Sequence, residues 1–464
     1  MIVMKFGGTS VENARALETV ITLARREQHR VPLLVLSAIA GATNTLLQSA
    51  QLAVEGNLEG AVLSLNSLLE RHVSIAENLI DDRGTVQQLI FSFKRRFEEI
   101  KNLCHGIAIL GELTPRSLDA IASTGEFLST QIASEAMRLR GLPVSPIDAR
   151  TFMVTDDRFT AATPLFAQVE ERLREKVLPL LQKRQMVITQ GFIGATLKGV
   201  TSTLGRGGSD YSASLIGAAL DAEEIQIWTD VDGILTADPR IAPLARKLKV
   251  LSFREASELA YFGARVLHPS TILPAIAKKI PVIVLNSRRP EAHGTRIVAD
   301  PPRSAVPVKS IASKSGITVL NIQSSRMLMA YGFLESIFSV FSRHQTPVDL
   351  VSTSEVAVSL TIDNISSLDR IVEELGRFAE VTTLSRQAIL CVVGDQMHST
   401  AGVADRIFRS LGDVDAVMVS QGASENNMSI VIDEARVTDA VQRLHKEFFE
   451  QLPDTDLFEP LGGV

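Results

Sequence analysis

Apolar residues along the chain fall into short unbroken runs and into stretches where they recur every three or four positions, and the two patterns alternate. Ile2 to Phe6 (IVMKF) reads as a buried strand broken by Gly7 and Gly8. A helix follows with Val11, Ala14, Leu17, Val20, Ile21 and Ala24 on one face, and Thr9 and Glu12 have the T-x-x-E spacing of a capping box at its start. Leu33 to Ala38 (LLVLSA) is a second buried strand, ended by the turn Gly41-Ala42-Thr43-Asn44. Strand, helix and strand without a hairpin signal predict a parallel crossover in an α/β sheet. Ligands of such sheets gather at the carboxyl ends of the strands, where the glycine pair and the Thr43 turn both fall.

From about 45 to 140 the pattern is helical and nearly free of strand signal, a helical insertion on the sheet that ends in ASTGEFLST (Ala122 to Thr130). Within that stretch Glu126 reads equally well as an exposed helix carboxylate or a functional one. Strand signals return at Met186 to Ile193 (MVITQGFI), at Glu224 to Asp230 (EIQIWTD) and at Val282 to Asn286, with turns in VDGILTADPR (Val231 to Arg240) and a helix end in AYFGARVLHP (Ala260 to Pro269). Pro301, Pro302 and Pro307 mark a linker at about 297–308. Beyond it the chain repeats itself. Val348-Asp349-Leu350-Val351 and the strand Glu355 to Asp363 have counterparts in Val414-Asp415-Ala416-Val417 and Asn427 to Asp433, each preceded by a strand and helix and followed by a helix. Two ferredoxin-like βαββαβ modules, 309–386 and 387–464, are the simplest account.

One loop stands out chemically. Ser202 to Asp210 (STLGRGGSD) carries Gly205, Gly207 and Gly208, which let backbone approach a ligand, and it precedes a small-residue helix read as Tyr211 to Leu220. The helix start would face an anion held by the loop, although a glycine-rich turn capping a helix accounts for the same residues. Lys5 is the second oddity, a cation inside an apolar strand and directly before two glycines. Unless it lies at an edge and reaches solvent, it needs an anion, and phosphate oxygens held with the N–H groups of Gly7 to Ser10 would supply one. No G-x-x-x-x-G-K-[ST], protein-kinase set or G-x-G-x-x-G crossover is present.

Composition narrows the classes further. With 464 residues, 45% hydrophobic and 22% charged, a globular protein of roughly two to four domains is expected. A formal charge of -6 without blocks gives no footprint for nucleic acid. Cys104 and Cys391 lie far apart, without metal-ligand spacing, as in a reducing compartment. The start MIVMKFGG does not read as a signal peptide, and the longest apolar run, Val31 to Ala42, is too short to span a bilayer, so a cytoplasmic protein without membrane contact is expected.

KFGGTSV (Lys5 to Val11), STGEFLST, QGFIG, TLGRGGSDYSA, WTDVDGILTADPR and GARVLHP, followed by the repeated module, together resemble the aspartokinases of the single-function, lysine-sensitive class. The resemblance covers nearly the whole chain. It implies an amino acid kinase fold over 1–296, a mostly parallel sheet between helices, followed by two ACT modules, and transfer of the ATP γ-phosphoryl to the side-chain carboxylate of L-aspartate, giving 4-phospho-L-aspartate. Carried over by position, Lys5 resembles the phosphate-stabilising lysine, with Gly7, Gly8, Thr9 and Ser10 near the transferring group, and Asp210 the carboxylate that organises it. Thr43, Glu126, Arg206 and Ser209 fall at substrate positions, where a carboxylate suits the α-ammonium and a guanidinium the α-carboxylate. Thr229, Asp230, Leu235, Arg240, Arg265 and Val266 match nucleotide positions, although Leu235 stands where relatives often carry tyrosine and Arg265 where many carry lysine. Mg2+ is implied, chiefly through phosphate oxygens and waters. In the first module Met327, Ala330, Gly332, Phe333, Leu334, Val348, Asp349, Ser354 and Glu355 resemble an L-lysine effector site, and the ACT modules imply a homodimer or homotetramer. A kinase of the same fold for another carboxylate and an inactive amino-acid sensor remain alternatives.

Overall fold

The computed structural model describes residues 1–263, 271–302, 306–324, 331–397, 399–422, 424–450 and 457–459. They divide into two compact units, Met1–Ile234 with Val266–Pro301, and Leu235–Arg265 with Pro302–Val464. The first unit contains, in chain order, β1 (Ile2–Phe6), α1 (Ala14–Arg26), β2 (Leu33–Leu36), α2 (Ala42–Val54), α3 (Leu58–Leu79), α4 (Arg83–Leu110), α5 (Pro115–Ala122), α6 (Thr124–Leu139), β3 (Val144–Pro146), β4 (Val154–Thr155), α7 (Phe166–Lys176), α8 (Leu178–Gln182), β5 (Met186–Gln190), β6 (Ile193–Thr196), β7 (Thr201–Thr203), α9 (Gly208–Ala219) and β8 (Glu224–Thr229). β9 (Lys247–Leu248), β10 (Val250–Ser252) and α10 (Phe253–Tyr261) then belong to the second unit, whereas α11 (Leu273–Ala277), β11 (Val282–Asn286) and β12 (Thr295–Val298) belong to the first.

The main sheet of the first unit runs β12-β11-β8-β1-β2-β5-β3, with β11-β12 the antiparallel pair. Unbroken apolar runs such as IVMKF and LLVL suit strands buried on both faces, and every residue of β1 and β2 is buried. Lys5 lies opposite Val35 of β2 and Ile227 of β8. The helical insertion shares this core: Leu46 of α2, Leu65 of α3 and Phe93 and Phe97 of α4 join Met4 and Leu34 in one cluster.

Local expectations need four corrections. Gly8–Val11 forms a 3-10 turn, and α1 starts later, where Asn13 Oδ1 accepts from the Ala16 N–H at 2.9 Å, so the Thr9–Glu12 capping box does not cap this helix. The run 186–193 is two strands, because the chain turns at Gly191 and Phe192, the latter at φ 67°. α9 starts at Gly208, behind Gly207 in the left-handed region, so Ser209 and Asp210 sit inside its first turn. Thr295–Val298, a short run containing Arg296, is a strand that periodicity did not mark.

The second unit continues with β13 (Val308–Gln323), α12 (Phe333–Arg343), β14 (Val351–Thr353), β15 (Ala357–Ile362), α13 (Leu368–Leu375), β16 (Glu380–Gly394), α14 (Val403–Leu411), β17 (Met418–Gln421), β18 (Asn427–Asp433), α15 (Val437–His445) and β19 (Phe458–Glu459). The repeat is present, but its two copies share one antiparallel sheet, β14-β15-β13-β16-β18-β17. Thr318–Gln323 of β13 pairs with β15, while Val308–Lys314 pairs with Ile389–Gly394 of β16, which in turn pairs with β18. A register irregularity between Lys314 and Ile317 marks the change of module. Each module therefore borrows half of a long strand.

The segment 235–265 joins this unit through buried polar contacts. Lys309 Nζ lies 2.6 Å from Glu255 Oε1, both side chains 1% exposed, and Glu255 also closes the capping box of α10 with Ser252. Thr236 Oγ1 and His445 Nε2 are 3.0 Å apart, and Ser310 Oγ donates to the Leu235 carbonyl at 2.7 Å. Removing one member of a buried ion pair strands the other, so Glu255→Ala is expected to cost about 3–5 kcal/mol of stability. Urea unfolding checks this, and an unshifted midpoint would remove the pair from the account of what holds 235–265.

Candidate active site

At the carboxyl ends of β1 and β2 the first unit encloses a cavity of about 330 Å³. β1 contributes Lys5, the chain after β2 contributes Ser37 to Gly41, and the first turn of α2 contributes Thr43 and Asn44. Glu126 enters from the first turn of α6, Phe192 from the β5–β6 turn, and Gly205, Gly207, Ser209 and Asp210 from the glycine loop and the start of α9.

Lys5 Nζ lies 2.6 Å from Asp210 Oδ1, the two side chains 10% and 14% exposed. A buried ammonium needs a counter-anion, and a carboxylate in the first turn of α9 is itself favoured by the positive end of that helix. The glycine loop is anchored from behind by Asp119 of α5. Its buried carboxylate accepts from the Thr203 N–H at 2.9 Å, the Thr203 hydroxyl at 2.6 Å and the Thr160 N–H at 3.0 Å. Burial pushes the Asp119 carboxyl up, and those three donors pull it back. Asp119 was missed in the sequence because an aspartate among SLDAI looks like any solvated helix residue.

Glu126 is not an exposed helix carboxylate. Only 3% exposed, it has its pKa pushed up by burial to about 8, against the opposing pull of the Ala38 N–H. Its Oε2 is buried without a hydrogen-bond partner among the described residues. The close seating of α6 explains this burial, since a Cβ on Gly125 would lie 2.6 Å from that of Ala38. Thr43, half-buried, lines the same cavity.

Other expected site residues lie elsewhere. Of Gly7 to Ser10 only Gly8 lines the cavity: the Gly7 N–H donates to the Trp228 carbonyl at 2.9 Å, and the Ser10 N–H to Gly7 at 2.9 Å. Ser10 Oγ is buried against Ser287 Oγ at 2.7 Å, so the 3-10 turn spends donors that an extended loop would have offered. Thr9 does not line the cavity either, and Arg206 sits on the loop, exposed and outside the lining. Thr229 ends β8 and Asp230 follows it, with Thr229 Oγ1 3.3 Å from Asp230 Oδ1. Leu235 and Arg240 belong to the second unit, where the Arg240 guanidinium is 2.6 Å from Asp238. Arg265, Val266, Met327 and Ala330 lie outside the described residues.

The remaining effector candidates are in the second unit. Gly332 caps α12, Phe333 meets Phe378 edge-on at 5.9 Å, Val348 packs on the module core, and Leu334, Ser354 and Glu355 are exposed. Asp349 Oδ1 accepts from Lys314 Nζ at 2.9 Å and the Tyr261 hydroxyl at 2.8 Å, while Oδ2 is buried with no hydrogen-bond partner among the described residues. Burial, reinforced by Asp349, holds the Tyr261 phenol well above its ordinary pKa.

Residues 1–286 match the amino acid kinase family and residues 390–448 an ACT domain. Aspartokinase 1, chloroplastic, of Arabidopsis thaliana is 39% identical, over 97% of this chain and 80% of the relative. The lysine-sensitive aspartokinase 3 of Escherichia coli is 36% identical, over 97% of this chain and 99% of the relative. A crystal structure of E. coli aspartokinase III in complex with aspartate and ADP superposes with a TM-score of 0.86 at 35% identity, covering 97% of this chain and all of that one. With similarity of this extent through both the kinase region and the ACT repeat, the chain belongs to the aspartokinase family.

Proposed function

We propose that this chain is an ATP-dependent aspartate kinase, which transfers the γ-phosphoryl group to the side-chain carboxylate of L-aspartate. The observation that carries the reading is one cavity holding a paired, buried ammonium and, opposite, a buried carboxylate with an unmet acceptor. The aspartate ammonium supplies the donor that Glu126 Oε2 lacks, with Thr43 and Ser209 beside it. Arg206, exposed on its loop, is free to meet the α-carboxylate. The E. coli structure that carries aspartate and ADP supports both the acceptor and the nucleotide.

The reaction needs positioning more than proton transfer. The substrate carboxylate is ionised at neutral pH and attacks the γ-phosphorus, an oxygen–phosphorus bond forms as the bond to ADP breaks, and no proton moves. Lys5 answers the charge on the transferring oxygens, and Asp210 keeps its ammonium aimed into the cavity. Thr229 and Asp230, at the carboxyl end of β8, are assigned to the nucleotide. No group of three or more metal-ligating side chains gathers among the described residues. Asp210, a carboxylate lining the cavity, would be the residue nearest an Mg2+ ion accompanying the nucleotide, and the ion would offset phosphate charge.

In the second unit the unmet Asp349 Oδ2 and the exposed Ser354 and Glu355 are assigned to an amino-acid effector, L-lysine by analogy with the lysine-sensitive E. coli relative. The wholly exposed edge strand β14 and the exposed Tyr331, Leu334 and Phe338 are assigned to a second copy of the chain in a homodimer or homotetramer. No helix among the described residues is long and apolar enough to cross a membrane, and a cytoplasmic enzyme is the reading we adopt.

Trapping the acyl phosphate with hydroxylamine tests the whole assignment: hydroxamate must depend on L-aspartate and fall when L-lysine is added. Asp349→Ala should keep the activity and lose the inhibition; inhibition as strong as in the parent would move the effector elsewhere. Lys5→Ala should lower kcat by roughly a hundredfold or more with little change in KM for aspartate, and near-normal turnover would take Lys5 out of the reaction. Glu126 generates a pH dependence. Its carboxyl is raised to about 8 in the empty cavity, so below that pH it binds a proton that an ammonium must displace. KM for aspartate should therefore fall as pH rises from 6 toward 8 and then level off, with up to about one proton released on binding near pH 7. Calorimetry in buffers of different ionisation heat counts that proton, and Glu126→Gln should flatten the profile; a flat profile in the parent enzyme would contradict the assignment.

A further inference from the structure

A second cavity, of about 390 Å³, lies in the first unit on the other side of α6 and has no part in the chemistry above. Leu89, Pro146 and Ile147 give it an apolar wall, Arg96, Phe127 and Thr130 give it chemistry, and its two lining carboxylates, Glu135 and Asp148, are already paired with Arg138 and Arg150. The guanidinium groups of Arg96 and Arg150 lie 4.4 and 4.6 Å from the centre of the Phe127 ring. Their charges are not handled alike. Arg150 is neutralised by Asp148 at 2.7 Å, whereas among the described residues no carboxylate lies within ion-pair distance of Arg96, whose charge is disfavoured by burial and by Arg150 and favoured from further off by Glu99 and Asp148. Thr130 is 1% exposed, and its hydroxyl has no hydrogen-bond partner among the described residues. A half-buried cation without a directly paired carboxylate, beside an unsatisfied buried hydroxyl, offers a place to an anion that also accepts a hydrogen bond.

The volume is larger than a bare inorganic ion requires and comparable with that of the first cavity, and Leu89, Phe127, Pro146 and Ile147 give part of its wall an apolar surface. The two cavities share structural members. Glu126 faces the first, and Phe127 and Thr130, on the same helix, face the second. Gln190 of β5 lines the second and accepts from the Ala149 N–H at 2.9 Å, while the next residue, Gly191, backs directly onto Ser209 of the first.

We propose that this second cavity binds a small organic acid, its acid group on Arg96 and the Thr130 hydroxyl and its body against Leu89, Pro146 and Ile147, and that occupancy is felt at Glu126 through α6. The coupling clause rests on the kinase reading; the binding clause does not. The test is calorimetric titration of the full chain with benzoate and with phenylphosphate, using L-aspartate and ADP at saturating concentration to fill the first cavity. Both acids should bind at one site, and benzamide, with the same body and no charge, should not. Arg96→Ala should weaken binding about tenfold or more, Arg96→Lys should recover part of the loss, and Thr130→Val should weaken binding at an unchanged melting temperature. Absence of heat from either acid, equal binding of benzamide, or unchanged affinity in Arg96→Ala and Thr130→Val would each overturn the site. Inorganic phosphate binding as tightly as phenylphosphate would overturn the organic-acid assignment. Coupling is read as a shift in KM for aspartate when benzoate is present; binding without that shift would remove the coupling alone, and loss of kinase activity altogether would leave the calorimetric result standing.

Discussion

The burial of the Lys5 ammonium is the constraint on which the catalytic unit depends. A lysine in the centre of a parallel sheet, with β2 on one side and β8 on the other, cannot reach solvent along an edge. Its charge must be met inside, and Asp210 meets it from the start of a helix more than two hundred residues later in the chain. That pair brings β1 and α9 to the same cavity, and in the proposed reaction it marks where the phosphoryl group is received. An ammonium held by a carboxylate is also aimed in advance, which suits a proposed reaction that relies on positioning and not on proton transfer.

Close backbone approach sets the remaining walls. Gly125 lets α6 press on Ala38 at the end of β2, which takes Glu126 out of water and raises its pKa. Gly191 lets the β5–β6 turn press on Ser209. With no room for a side chain at either contact, the cavity has few ways to relax, and its unmet acceptor stays available for a substrate ammonium. The same tight seating makes α6 a shared wall between the cavities, one face carrying a carboxylate without a donor and the other a hydroxyl without a partner.

In the second unit the governing fact is strand sharing. β13 and β16 are each long enough to serve both copies of the repeat, so neither module closes its sheet alone. Segment 235–265 is bound into the same unit by Lys309 and Glu255, a pair with almost no contact with water. Isolated modules cut at the repeat boundary would each lose a strand, which makes the unit cooperative by construction.

Much of this was legible in the amino-acid order. Unbroken apolar runs mark strands buried on both faces, periodic runs mark helices, and a module repeated in tandem is visible as a repeat, because each of these is a local consequence of which face a residue buries. Lys5 in an apolar strand already required an anionic partner, and the three glycines of 204–208 already marked a loop that backbone can bring close to a neighbour. What the order could not provide was partnership. Glu126 is exposed or buried depending on where Ala38 comes to lie, Asp119 is a surface residue or an anchor depending on Thr203, and Ser10 offers its N–H to a ligand or to Gly7 depending on a 3-10 turn. Contacts across the chain are equally invisible in the order: 235–265 is continuous in sequence with the first unit but groups with the second, where Lys309 pairs with Glu255. Sequence by itself determined the elements, the repeat and the kind of chemistry, whereas only the tertiary structure decided which charges meet, which stay unmet and which strands are shared, since those energies arise between residues that are remote along the chain and adjacent only when folded.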